Sequence, residues 1–132
     1  MSAPLLTFDR FQPGAAMGAH TEAIDERILG HWRRLYPWDA PTGDALPPGI
    51  ATVLLMRAYM QALSPRPPGN VHARQSLSLT AAPRLGESVT TAFTCVGKEL
   101  RRERRYVEVD AVATGDGGRA LFSGRMTLIW AA

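Results

Sequence analysis

The longest apolar stretch of the chain runs from Gly49 to Leu63, GIATVLLMRAYMQAL, and Arg57 is its only charge. A helix of this composition is expected to be buried on nearly every face. It follows Tyr36 to Pro48, YPWDAPTGDALPP, a loop stiffened by four prolines. Pro47-Pro48-Gly49 offers no side-chain oxygen at the helix start. The first N–H groups and the positive end of the helix dipole are therefore free to meet an acceptor such as a carbonyl oxygen.

Upstream, Leu5 to Phe8 with Phe11 predicts a short strand, broken by the turn residues Gln12-Pro13-Gly14. Ala15 to His20 predicts a second. Ile24, Ile28, Trp32 and Leu35 form one apolar stripe on a helix from Glu22 to Leu35, with Thr21 as N-cap, acids in the first turns and Arg33 and Arg34 in the last. Beyond Asn70 the period changes to two. Leu77 and Leu79, then Val89 to Cys95, then Val107 to Ala113, then Ala120 to Trp130 mark four strands. They are joined by turns at Pro83 to Gly86 and Gly115 to Gly118, and by a charged bend from Gly97 to Arg105. Four half-buried strands with short connections predict an antiparallel sheet, and the 49–63 helix is the element apolar enough to sit inside it. The fold class is α+β.

A length of 132 residues predicts one domain, 1–132. With 45% hydrophobic and 20% charged residues, it has the balance of a folded globular chain. A single cysteine, Cys95, excludes an internal disulfide, disfavours a cysteine-based metal site, and sits where a strand would bury it. No metal-ligand cluster is visible. No apolar run is long enough to span a bilayer and the start lacks a secretory pattern, so a cytoplasmic protein without a membrane partner is expected. The net charge is +3, and Lys98 is the only lysine. The arginine excess fits phosphate recognition or GC-rich coding equally. No helix-turn-helix, zinc or aromatic RNA-binding pattern accompanies it, so nucleic acid is not an expected partner.

The candidate chemistry collects in the loop before the apolar helix. Asp39 and Asp44 are either turn residues bonded to their own backbone or carboxylates able to move a proton. Tyr36 and Trp38 either cover the edge of the core or wall a ligand pocket. His20, His31 and His72 are each a packed or surface residue, or a substitute acid or base. The run Lys98 to Arg105, with Arg101, Arg102, Arg104 and Arg105, is either a solvated hairpin tip or a phosphate site.

The order of elements, together with Gln12-Pro13-Gly14, His20-Thr21-Glu22-Ala23, Thr42-Gly43-Asp44, Pro48-Gly49 and Pro83-Arg84-Leu85-Gly86-Glu87, resembles the hot-dog fold. In that fold an antiparallel sheet wraps around one long central helix. Within it the chain is similar to the MaoC-like hydratase/dehydratase family. The resemblance implies (R)-specific hydration of an enoyl thioester, or dehydration of the 3-hydroxy compound. Coenzyme A or acyl carrier protein would enter as part of the substrate, with no separate cofactor. It also implies a homodimer, or pairing with a heteromeric hot-dog partner. Asp44 matches the family's aspartate, Gly49 and Ile50 match the helix start whose amides face the thioester oxygen, and Asp39 and His31 are the further catalytic candidates. The family places a histidine five residues after its aspartate; here that position is Gly49, and Pro48 precedes it. The missing histidine keeps two alternatives open: a non-catalytic acyl-binding or partner subunit, and an acyl-CoA thioesterase in which Asp44 or Asp39 activates water.

Overall fold

The computed structural model describes residues 3–39 and 45–132. In chain order the strands are β1 (Ala16–Ala23), β2 (Val71–Leu79), β3 (Ser88–Arg101), β4 (Arg104–Thr114) and β5 (Ala120–Trp130). They pair antiparallel in one sheet of order β1-β3-β4-β5-β2. Two helices, α1 (Glu26–Leu35) and α2 (Ile50–Ala62), lie between β1 and β2 in the chain. The expected arrangement of an antiparallel sheet around one central helix is the one observed.

Alternation explains which face of the sheet carries the core. Val89, Thr91, Phe93 and Cys95 on β3 are buried, as are Val107, Val109, Ala111 and Ala113 on β4 and Met126, Leu128 and Trp130 on β5. Apart from Thr91, they meet the buried Ile50, Ala51, Leu54, Leu55, Ala58 and Tyr59 of α2 in one cluster. Their neighbours in sequence point the other way, onto a polar outer face stitched by cross-strand pairs. Thr21 bonds Thr90 at 2.7 Å, Thr127 donates to Glu108 at 2.8 Å, and Arg125 pairs with Asp110 at 2.6 Å. Burying a Leu or Phe side chain contributes roughly 1.5–3 kcal/mol, so the inward set supplies most of the drive to close the sheet on α2.

Several boundaries differ from the sequence expectation. Residues 5–11 form no strand; a 3₁₀ turn spans Phe8–Arg10, with Thr7 bonded to Asp9. The segment closes one end of the core instead, through Leu6 N–H to Pro65 O and Phe8 N–H to Ala132 O, both 2.8 Å, and through Phe11 stacked edge-on to Trp130. β1 runs on through Thr21 and Glu22, so α1 begins later, at Glu26. Asp25 is its N-cap, accepting from the amides of Arg27 and Ile28. Pairing with β3 outweighed the helical charge pattern of 21–25. The charged segment 97–105 is not a bend: β3 and β4 continue through it to a two-residue tip, Arg102 and Glu103, both at positive φ.

Two burial expectations also change. α2 packs over β1 and β3 with its lower face, while Val53 and Met60 lie on its exposed upper face. Leu77 and Leu79 share the inner face of β2 as alternation predicts, yet they are 36% and 42% exposed. β2 is an edge strand, and α2 lies toward the other side of the sheet. Among the described residues no helix is long and apolar enough to cross a membrane.

Candidate functional site

The start of α2 is built by the turn that precedes it. Leu46 donates to Pro83 O at 2.9 Å and Ala45 forms a bridge with Arg84, so this stretch is tied to the β2–β3 turn. The amides of Ile50, Ala51 and Thr52 then donate to Pro47 O, Pro48 O and Gly49 O at 3.0, 3.1 and 3.2 Å. The prolines supply carbonyls instead of side-chain caps, and 3₁₀ bonds absorb the amides the sequence left open. Ile50, expected to offer a free N–H, therefore has its amide engaged. Among the described residues the Gly49 N–H meets no acceptor, and it is the donor remaining at this end of the helix.

Trp32 of α1 covers that point. A Cβ placed on Gly49 would overlap Trp32 Cη2 and stand 2.8 Å from Cζ2. The indole is held from its other edge, where Nε1 donates to the Asp39 carboxylate at 3.0 Å. Asp39, expected as a catalytic carboxylate, is thus a partner of Trp32. The ring of Tyr36 lies 4.6 Å from that of Trp32, and Trp38 lies 6.0 Å beyond Tyr36. Trp38 is 79% exposed, and the aromatic residue against the helix start is Trp32. Its place on the apolar stripe of α1 gave no hint of this, because contact with Gly49 depends on how α1 crosses the loop.

The three histidines occupy different surroundings. His20 lines a 510 Å³ cleft with Glu22, Met56, Arg57, Met60 and Gln61. His72 sits edge-on to Tyr59, 6.1 Å between centroids. Both lie beside the later turns of α2, a helix of about 20 Å at 1.5 Å per residue. His31 is exposed on α1. Burial pushes the Tyr59 phenol up. Arg66 beside it caps the C-terminus of α2, donating to Met60 O and Leu63 O at 3.1 and 3.2 Å. Asp44 lies outside the described residues.

The basic hairpin is remote from the helix start. The β3–β4 tip is at the far end of a strand whose beginning adjoins the Pro83 turn. Arg101 stacks on Tyr106 at 4.3 Å and Arg105 donates to Ala131 O at 3.2 Å. Arg102 and Arg104 are exposed at the tip. The hairpin and the Gly49 end are two separate features of one chain.

A buried clamp supports the site from below. Glu87 accepts from the Arg84 amide at 3.0 Å, the Asp116 amide at 3.1 Å and the Arg119 guanidinium at 2.6 and 3.1 Å. Arg119 also donates to Ala82 O at 3.0 Å. The Arg119 hydrogen bonds, helped by the two amides, hold the Glu87 carboxyl below the usual carboxylate range against the opposing effect of burial. The clamp joins the 83–87 turn, on which residues 45 and 46 rest, to the β4–β5 turn.

This architecture is the hot-dog fold, the class shared by MaoC-like dehydratases and (R)-hydratases. The chain is similar in structure to the (R)-hydratase PhaJ1 from Pseudomonas aeruginosa, with TM-score 0.79 and 16% identity over 94% of this chain and 84% of that one. It is similar also to the MaoC-like dehydratase from Rhodospirillum rubrum, with TM-score 0.80 and 12% identity over 96% and 98%. A third similar structure is the HadBC (3R)-hydroxyacyl-ACP dehydratase complex from Mycobacterium tuberculosis, with TM-score 0.68 and 12% identity over 89% and 96%. No protein-family model matches the sequence, and no curated protein matches it.

Proposed function

We propose that this chain binds acyl thioesters, carried by coenzyme A or acyl carrier protein, at the Gly49 end of α2. The reaction class is that of (R)-specific enoyl-thioester hydratases and 3-hydroxyacyl-thioester dehydratases. The observation that supports it is a buried helix opening at glycine, inside a fold shared over nearly the whole chain with a hydratase and a dehydratase. In this reading the Gly49 N–H and the helix dipole polarise the thioester carbonyl, and Asp44 handles the proton of water. The carrier is part of the substrate and no further cofactor takes part.

The chain works as a dimer in this scheme. β2 presents an unpaired edge with Leu77 and Leu79 uncovered beside it, and a second copy, or a related hot-dog subunit, would satisfy both.

The test is hydration of a short trans-2-enoyl-CoA, followed by loss of enoyl absorbance, with Asp44→Ala alongside and free thiol monitored. Activity lost in the variant supports the hydratase. Thiol release without hydration overturns it in favour of a thioesterase. The placement of His20 and His72 beside the later turns of α2 favours a second reading, an acyl-binding subunit that completes a catalytic partner. That reading expects saturable acyl-thioester binding by the purified chain without turnover.

A further inference from the structure

We propose that the staircase of Trp32, Tyr36 and Trp38, with Arg33 and Arg34 in the last turn of α1, is the docking site for a purine nucleotide at the carrier end of the thioester. The inference rests on the acyl-thioester reading above, and it selects a nucleotide-bearing coenzyme as the carrier.

Trp38 is the most exposed large apolar side chain of the described residues, yet the backbone that carries it is tied down. Pro37 fixes its own φ. The Asp39 N–H closes the turn onto Tyr36 O at 3.0 Å, the Tyr36 N–H donates to Trp32 O at 2.8 Å, and the Asp39 carboxylate is anchored by Trp32 Nε1. A large ring displayed on a pre-ordered turn loses little entropy when a planar ligand stacks on it.

Charge and continuity select the ligand. Arg33 and Arg34 follow Trp32 directly, and among the described residues neither forms an ion pair. Asp39, the nearest acid in sequence, is already bonded to Trp32. Aromatic rings at a helix end whose last turn carries two arginines match a base with phosphates. The innermost ring touches Gly49, so the staircase leads from solvent to the helix start. An elongated ligand with a purine at one end and an acyl thioester at the other follows that line. The hairpin arginines do not offer it, since they lie at the opposite end of β3.

The test is titration with adenosine 3′,5′-bisphosphate, read by tryptophan fluorescence and calorimetry. Wild type is compared with Trp38→Ala, Trp38→Phe and an Arg33→Ala/Arg34→Ala double variant, each checked for an unchanged circular dichroism spectrum. Saturable binding is expected, weakened about tenfold by Trp38→Ala, as loss of one base–aromatic stack implies, and largely kept by Trp38→Phe. The arginine double variant should weaken binding and flatten its dependence on salt. The same acyl group is then presented on coenzyme A and on N-acetylcysteamine, which has no nucleotide; Trp38→Ala should weaken only the first. Nucleotide binding that is absent, or indifferent to Trp38, overturns the proposal. So does Trp38-dependent binding to phosphatidylglycerol vesicles without any nucleotide effect, which would make the patch a membrane contact. If wild type binds the N-acetylcysteamine thioester but no nucleotide, the nucleotide site falls while acyl binding stands. If it binds acyl-coenzyme A no more tightly than the nucleotide and does not bind the N-acetylcysteamine thioester, the acyl-thioester reading falls and the nucleotide site stands.

Discussion

Trp32 occupies the space that a side chain at Gly49 would need, so the first helix of the chain packs directly against the start of the second. Gly49 has ordinary helical dihedrals, φ −62° and ψ −21°, and glycine is required there for room and not for backbone freedom.

Gly49→Ala is expected to push the indole off its seat and destabilise the fold by about 1–3 kcal/mol, the usual range for overpacking. Urea unfolding measures the loss, and a change in tryptophan emission locates it. In the double variant with Trp32→Leu the two costs should fail to add, because the clash is gone. Strict additivity would place the effect elsewhere.

Glu87→Gln removes the charge of the buried clamp while keeping its shape, and is expected to cost about 1–3 kcal/mol at neutral pH. The folded carboxyl titrates below its ordinary value, so the folded state binds fewer protons than the unfolded chain on the acid side. The clamp's contribution is present in full above about pH 4.3 and is lost as pH falls through the lower folded value. The gap between wild type and variant should therefore narrow between pH 5 and pH 3. A gap that does not change with pH would show that the ionised form carries no special stability.

Glu22 and Arg57 make a similar contact at 2.8 Å, but the Arg57 side chain is 55% exposed. Glu22→Ala should shift stability by no more than about 1 kcal/mol, as for other solvent-screened pairs. The contrast with Glu87 is a direct check that burial, and not contact distance, decides the magnitude.

Leu77→Arg places a charge on the uncovered inner face beside the β2 edge. Light scattering is expected to give twice the chain mass for the wild type and the mass of a single chain for the variant, with the circular dichroism spectrum unchanged. A wild-type chain that is monomeric at micromolar concentration would remove the paired-edge arrangement.

Local patterns determined much of this protein. The apolar run at 49–63 specified the central helix to within a residue at each end, and the alternation at 89–95, 107–113 and 126–130 assigned the inward face of three strands, because side-chain period is a property of the backbone itself. Pro48-Gly49 marked the helix start. What the tertiary structure decided is which residues meet. Residues 21–25 carry a helical charge pattern, but pairing with β3 made most of them strand. Asp39, read as either a turn residue or a proton-moving carboxylate, is paired with the Trp32 indole by the turn that follows α1. Ile50 lost its amide to a proline carbonyl that no pattern identifies as an acceptor. Leu77 and Leu79 were assigned the correct face but the wrong burial, since alternation fixes direction whereas sheet order and the position of α2 decide what lies there to cover them.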